Sequence, residues 1–276
     1  MYSPGCYTLE VLHFDHAVLA LSVSYLITMH DSTRRKAYMR QLARSPPTAT
    51  VIVVHNQGHI SCDKDGVDKP YKDLWHVHQF IARYHLSKYD TSALIMEDDV
   101  HFAPSFRARA STINDALYRF RPDVYSLGSV QVYTLPFDQN HIMGAFSVAT
   151  AVIYSNALMR RFGTLQASTL RGPHDSSVFW LKFMPYRALM LRDPVAGQLV
   201  EDTLNKQDWD SWGLITWLSD MVLHSRTDPM WMGNCQYMPL IAEFGTLGSI
   251  VALCFLFLAA MQLRRAMRLC THLDSN

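Results

Sequence analysis

Three apolar runs separated by helix-forming stretches constrain this chain more than any other feature. Ser22–Thr28 (SVSYLIT) has the β-branched and aromatic composition of a strand. Thr50–Val54 (TVIVV) reads as a strand buried on both faces, as in a parallel sheet. Ala93–Met96 (ALIM) is the third. Between the first two, His30-Asp31-Ser32-Thr33 supplies helix-capping residue types. Arg34–Ala43 has helical composition, and Pro46-Pro47 stops it. A polar loop rich in Gly and Asp, Asn56–Pro70, leads into Leu74–Tyr84, where Leu74, Val77, Ile81 and Tyr84 share one helical stripe. Strand, helix, strand, helix, strand predicts right-handed βαβ units and an α/β fold with a mostly parallel sheet. Further along, Val124–Leu127 and Ser147–Ile153 read as strands, and Asn156–Phe162 and Asp175–Phe183 as helices.

The third run ends in Glu97-Asp98-Asp99. Open α/β sheets bind ligands at the carboxyl ends of their strands, which is where this triplet falls. Hard divalent cations such as Mn2+ or Mg2+ take one or two carboxylates from a protein and complete their shell with water and phosphate oxygens. If the strand stays extended, Glu97 and Asp99 point the same way and form the metal pair, while Asp98 faces a backbone or basic partner. The alternative is a strand end that simply enters water. His76 and His78 are two apart, a spacing that does not bring them together on a helix.

Composition bounds the partners. Among 276 residues the formal net charge is +1, which gives no electrostatic sign of nucleic-acid binding. Part of the 49% hydrophobic content lies in Phe244–Leu263, twenty residues without a charge. That length matches a bilayer's hydrocarbon core, so a single membrane-spanning helix is expected. Arg264, Arg265 and Arg268 follow it, which by the positive-inside tendency puts the tail in the cytosol and the body on the far side. Against this, Ala17–Met29 lacks the basic flank of an export signal and reads equally as a strand. Five cysteines without a CxxC pair argue against a disulfide framework and a structural zinc site. The expected organisation is an N-terminal segment (1–21), a catalytic domain (22–210), a juxtamembrane segment (211–243), the spanning helix (244–263) and a basic tail (264–276).

LIMEDDV resembles the LEDDV signature of the family 25 glycosyltransferases, the lipooligosaccharide and collagen galactosyltransferase type. Other segments resemble that family in order: SYLITMHDSTRRKAYMRQL its opening strand, turn and Arg-bearing helix, GAFSVATAVIYSNALMRRF a strand and helix on the acceptor side, and GPHDSSVFW with DPVAGQL and DTLNKQDW its closing segments. His30-Asp31 departs from the more apolar or basic turn usual there. The resemblance implies a GT-A nucleotide-diphospho-sugar fold and transfer of a hexose from a nucleotide sugar, such as a UDP-hexose, to a glycan or glycoprotein hydroxyl. It implies that Glu97 and Asp99 hold Mn2+ (or Mg2+) on the donor's diphosphate, with Asp98, Thr28, Arg34, Arg35 and His174 on the donor. Asp175 would be the general base of an inverting transfer; an ordinary helix N-cap is its other reading. Two rivals stand beside this: a non-catalytic single-pass membrane protein with a degenerate transferase fold, and a metal-dependent phosphotransferase or hydrolase. The sequence contains no P-loop, GxSxG or HExxH pattern to favour the latter.

Overall fold

The structure, a computed structural model, describes residues 4–64, 66–165 and 186–198, with the single positions Gly248, Val251 and Cys254. A short 3-10 turn, Pro4–Cys6, opens into strand β1 (Tyr7–His13). Then follow β2 (Ser24–Met29), α1 (Arg35–Arg44), β3 (Thr50–Asn56), the one-turn α2 (Gly58–Ser61), α3 (Pro70–Leu86), β4 (Ala93–Glu97) and β5 (Val100–Phe102). The second half supplies α4 (Ala110–Phe120), the long hairpin β6 (Val124–Pro136) and β7 (His141–Tyr154), α5 (Asn156–Gly163), β8 (Ala188–Leu191) and β9 (Ala196–Gln198).

Seven strands form one sheet in the order β1-β3-β2-β4-β7-β6-β8, and β5 pairs with β9 in a separate ribbon. The pairings make β2, β3, β4, β6 and β8 run one way and β1 and β7 the other, so the sheet is mixed but mostly parallel. The chain steps from β2 through α1 to β3 on one side, then crosses back through α3 to β4 on the other. Opposite steps of the same hand put the two helices on opposite faces. Accordingly α3 and α5 pack on one face, with Trp75, Ile81, Leu158 and Phe162 against Tyr25, Ile52 and Ile95. Across the sheet α1 and α4 pack Tyr38, Leu42 and Ile113 against Leu26, Val53, Leu94 and Met96. The period-two alternation of each strand thus feeds two separate cores.

Several sequence-based expectations need correction. β1 lies inside the segment set apart as N-terminal (1–21): its TLEVLH alternation pairs antiparallel with β3 over its whole length. The strands Val124–Leu127 and Ser147–Ile153 extend into a hairpin of 13 and 14 residues with register shifts at Ser126/Gly128, Gly128/Val130 and Gln131/Tyr133. Those bulges curl the hairpin until His141–Met143 meets the outer side of β8, which on its inner side pairs with Val124–Ser126. Gly128 lies so close to β9 that a Cβ there would sit 1.8 Å from the Ala196 carbonyl oxygen. The cysteine reading also fails, because Cys6 and Cys62 form a disulfide across 56 positions. Among the described residues no helix is long and apolar enough to cross a membrane. The expected span, 244–263, lies outside them apart from Gly248, Val251 and Cys254, which are helical and exposed. The Asp175–Phe183 helix lies outside them altogether.

Candidate functional site

In the order β3-β2-β4, the chain leaves β2 toward one side and β4 toward the other. The carboxyl ends of β2 and β4 therefore flank the topological switch point of this sheet, the place where such folds open a crevice. The side chains gathered there are those of Thr28, Ser32 and Arg34 from the β2–α1 turn and the acidic triplet from β4.

The turn is tight. Ser32 N donates to the Met29 carbonyl at 3.0 Å, and His30 N donates to the Asn56 carbonyl at 2.9 Å. Ser32 does not cap α1, whose first turn has Arg34 at the N-cap position without a side-chain cap bond. Its hydroxyl instead donates to Asp98 Oδ2 at 2.5 Å and accepts from Arg34 N at 3.3 Å. Thr28 Oγ1 donates to the same Asp98 oxygen at 2.6 Å, and Arg34 Nη1 donates to Asp98 Oδ1 at 3.2 Å. Asp98 is therefore a buried carboxylate with hydroxyls on one oxygen and a guanidinium on the other. It ties the end of β4 to the end of β2 and the start of α1.

The strand stops at Glu97, and Asp98 and Asp99 turn before β5 begins. Extended geometry does not persist, so the alternation that grouped Glu97 with Asp99 does not apply. Arg34 Nη1 sits 3.2 Å from Asp98 Oδ1 and 3.6 Å from Asp99 Oδ2, so the two aspartates share one cation. The Asp99 side chain is 2% exposed, and Glu97 is half-buried at the strand end. Gln41 of α1 fixes the following segment, donating to the Val100 carbonyl and accepting from Phe102 N, both at 3.1 Å. The opposite edge of β5 pairs with β9.

Arg35 belongs to a different cluster. Both of its terminal nitrogens reach the Glu10 carboxylate of β1 at 2.8 Å, and His55 Nε2 lies 3.0 Å from Glu10 Oε2. The Arg35 bonds, helped by His55 and opposed by partial burial, hold the Glu10 carboxyl down to about 2. Beneath the end of β3 lies a third polar group that sequence reasoning missed. The Lys64 ammonium, its side chain wholly buried, donates to Asp73 Oδ1 and to Asn56 Oδ1, and Asn56 Nδ2 donates to Asp73 Oδ2 at 3.0 Å. Burial pushes the Lys64 ammonium below its ordinary range, and Asp73 opposes that.

Of the residues singled out from sequence, Thr28, Arg34, Asp98 and Asp99 converge at the switch point, and Glu97 sits at its margin. Arg35 faces Glu10 instead. His174 and Asp175 lie outside the described residues. His76 and His78 diverge: His76 Nδ1 meets the Tyr7 hydroxyl at 2.5 Å, while His78 Nδ1 donates to the Leu74 carbonyl at 2.8 Å. Ser32 and Gln41 were missed, and no local pattern marks either, because their partners are 66 and 59–61 positions away.

The class these features define is a doubly wound α/β protein with an acidic turn and an arginine at its switch point. No family model matches the chain, and no curated protein matches it. Among solved structures it is similar to "A197 from STIV", with 11% identity and a TM-score of 0.40 over 66% of this chain and 87% of the other. A likeness at that level carries no argument about fold or function.

Proposed function

We propose that this protein is a membrane-anchored, metal-dependent glycosyltransferase with a GT-A-like fold, moving a hexose from a nucleotide sugar to a glycan or glycoprotein hydroxyl. One observation carries the reading: the acidic motif that resembles the family 25 signature falls at the carboxyl end of β4 beside that of β2, the switch point of the sheet. The turn after Glu97 does not align the two by strand alternation, so it is the resemblance that pairs Glu97 and Asp99, whose hard carboxylate oxygens suit Mn2+ or Mg2+. Among the described residues no group of three or more His, Cys, Asp and Glu side chains could hold a metal. Two carboxylates suffice when a diphosphate completes the shell. A bound cation would stabilise negative charge on the departing diphosphate. Arg34, anchored by Asp98, adds positive charge beside Asp99. By the resemblance, Asp175 would take the acceptor's proton and His174 would touch the donor. The Cys6–Cys62 disulfide supports a body on the non-cytosolic side of the membrane, since disulfides persist in oxidising compartments.

A second reading, a non-catalytic protein that keeps the fold, draws on the same site. Asp98 is wholly engaged by its own chain, and Arg34 partly neutralises Asp99 without any metal. Incubating the full chain with Mn2+ and a panel of nucleotide sugars separates the two. Thermal stabilisation by one donor, dependent on manganese and lost in Asp99→Asn, supports the transferase. Absence of any donor-specific shift or donor hydrolysis supports the degenerate fold.

A further inference from the structure

The edge strand β1 is attached at three points, each by different chemistry. At its start, Cys6 is cross-linked to Cys62, which closes α2, and Gln57 Nε2 donates to the Gly5 carbonyl at 2.8 Å. On one face Tyr7 lies over the Lys64 ammonium, 4.9 Å from the ring centroid, and stacks on Phe80. On the other face Glu10 grips Arg35, the first residue of α1 and the neighbour of the Arg34 that holds Asp98. One strand therefore connects a disulfide, a buried cation and the helix start at the switch point.

We propose that β1 is a redox-clasped strap: the disulfide keeps it on the edge of β3, and a dithiol reductant releases its first half and uncovers Lys64. The exchange is balanced, since the dithiol supplies two hydrogens and two electrons, Cys6 and Cys62 become thiols, and the dithiol becomes its own disulfide. Cys62 is partly exposed and open to attack, whereas Cys6 is buried. The Tyr7 ring covers the Lys64 ammonium, so release of the strap opens that cation to solvent. Release also removes Glu10 from Arg35 and loosens the start of α1. This inference is independent of any transferase activity.

The test uses the full chain in detergent. In the oxidised protein Cys6 and Cys62 resist alkylation and Lys64 resists an amine reagent. After reduction by dithiothreitol, hydrogen exchange in Tyr7–Glu10 and in the paired Val53–Asn56 rises at least tenfold and Lys64 becomes labelled. Ala93–Glu97 and α3 stay protected. Cys62→Ser reproduces this pattern without reductant. Three results would overturn the proposal: thiols that alkylate in the untreated protein, exchange in β1 unchanged by reduction, or exchange rising equally in every strand, which marks a global staple instead.

Discussion

Removing the Asp98 carboxylate tests the switch-point architecture most directly. Three donors converge on it, namely the hydroxyls of Thr28 and Ser32 at 2.6 and 2.5 Å and the Arg34 guanidinium at 3.2 Å. A hydrogen bond to a charged group contributes roughly 1.5–3 kcal/mol, but three sharing one carboxylate do not add. Losing one partner of a buried ion pair costs about 3–5 kcal/mol, and Asp98→Ala is expected to fall in that range. For a folded body of this size that corresponds to a melting temperature lower by about 6–20 °C. Asp98→Asn separates the components. Its amide oxygen still accepts from both hydroxyls, while its NH2 group opposes Arg34, so a loss of about 1.5–3 kcal/mol is expected. Urea unfolding followed by tryptophan fluorescence measures both. A change below about 1 kcal/mol for Asp98→Ala would refute the argument that this carboxylate binds β4 to the β2–α1 turn.

Three more outcomes follow from the packing. Gly128→Ala places a methyl 1.8 Å from the Ala196 oxygen and forces β9 away, so a loss of about 2 kcal/mol or more is expected, with faster hydrogen exchange in β5. Burial holds the His78 imidazole down to about 4, below the unfolded value near 6.5. The unfolded chain then binds the extra proton, so stability present above pH 6.5 is lost as pH falls toward 4, by roughly 3 kcal/mol. His78→Phe should flatten that slope but leave the part due to His76, which is also held to about 4, chiefly by burial. Asp73→Ala strands the Lys64 ammonium and should cost about 3–5 kcal/mol, whereas the double variant Lys64→Met/Asp73→Leu should recover most of it. A double variant no more stable than the single one would sink that account.

The parallel centre of the sheet was readable because Tyr25–Ile27, Val51–Val54 and Ala93–Met96 are runs of consecutive apolar residues, the pattern of strands covered on both faces. The helix expected over Asn156–Phe162 is α5, which the structure caps with the Ser155 hydroxyl accepting from Leu158 N. β1 was hidden because half of its residues are polar and its partner residues lie 37 to 49 positions away. The disulfide left no local trace for the same reason. At the site, the sequence located the carboxylates but not their orientation. Alternation holds only while a strand lasts, and this one ends at Glu97. Whether an arginine or a hydroxyl meets Asp98 depends on how β2 and β4 come side by side, which no window of the sequence contains.

The placement of β1 also bears on solubility. The far edge of the sheet is closed by β7 meeting β8, so among the described residues β1 forms the exposed margin. It is short and carries Glu10 and exposed Thr8, features that discourage pairing with another molecule. Beneath it lies TVIVV, five residues without charge, proline or glycine, the composition of a segment that stacks into cross-β fibrils. A chain whose first strand failed to dock would present that segment as a bare template. β1 therefore acts as a gatekeeper against self-association, and light scattering on protein lacking residues 1–13 should register its absence as concentration-dependent aggregation.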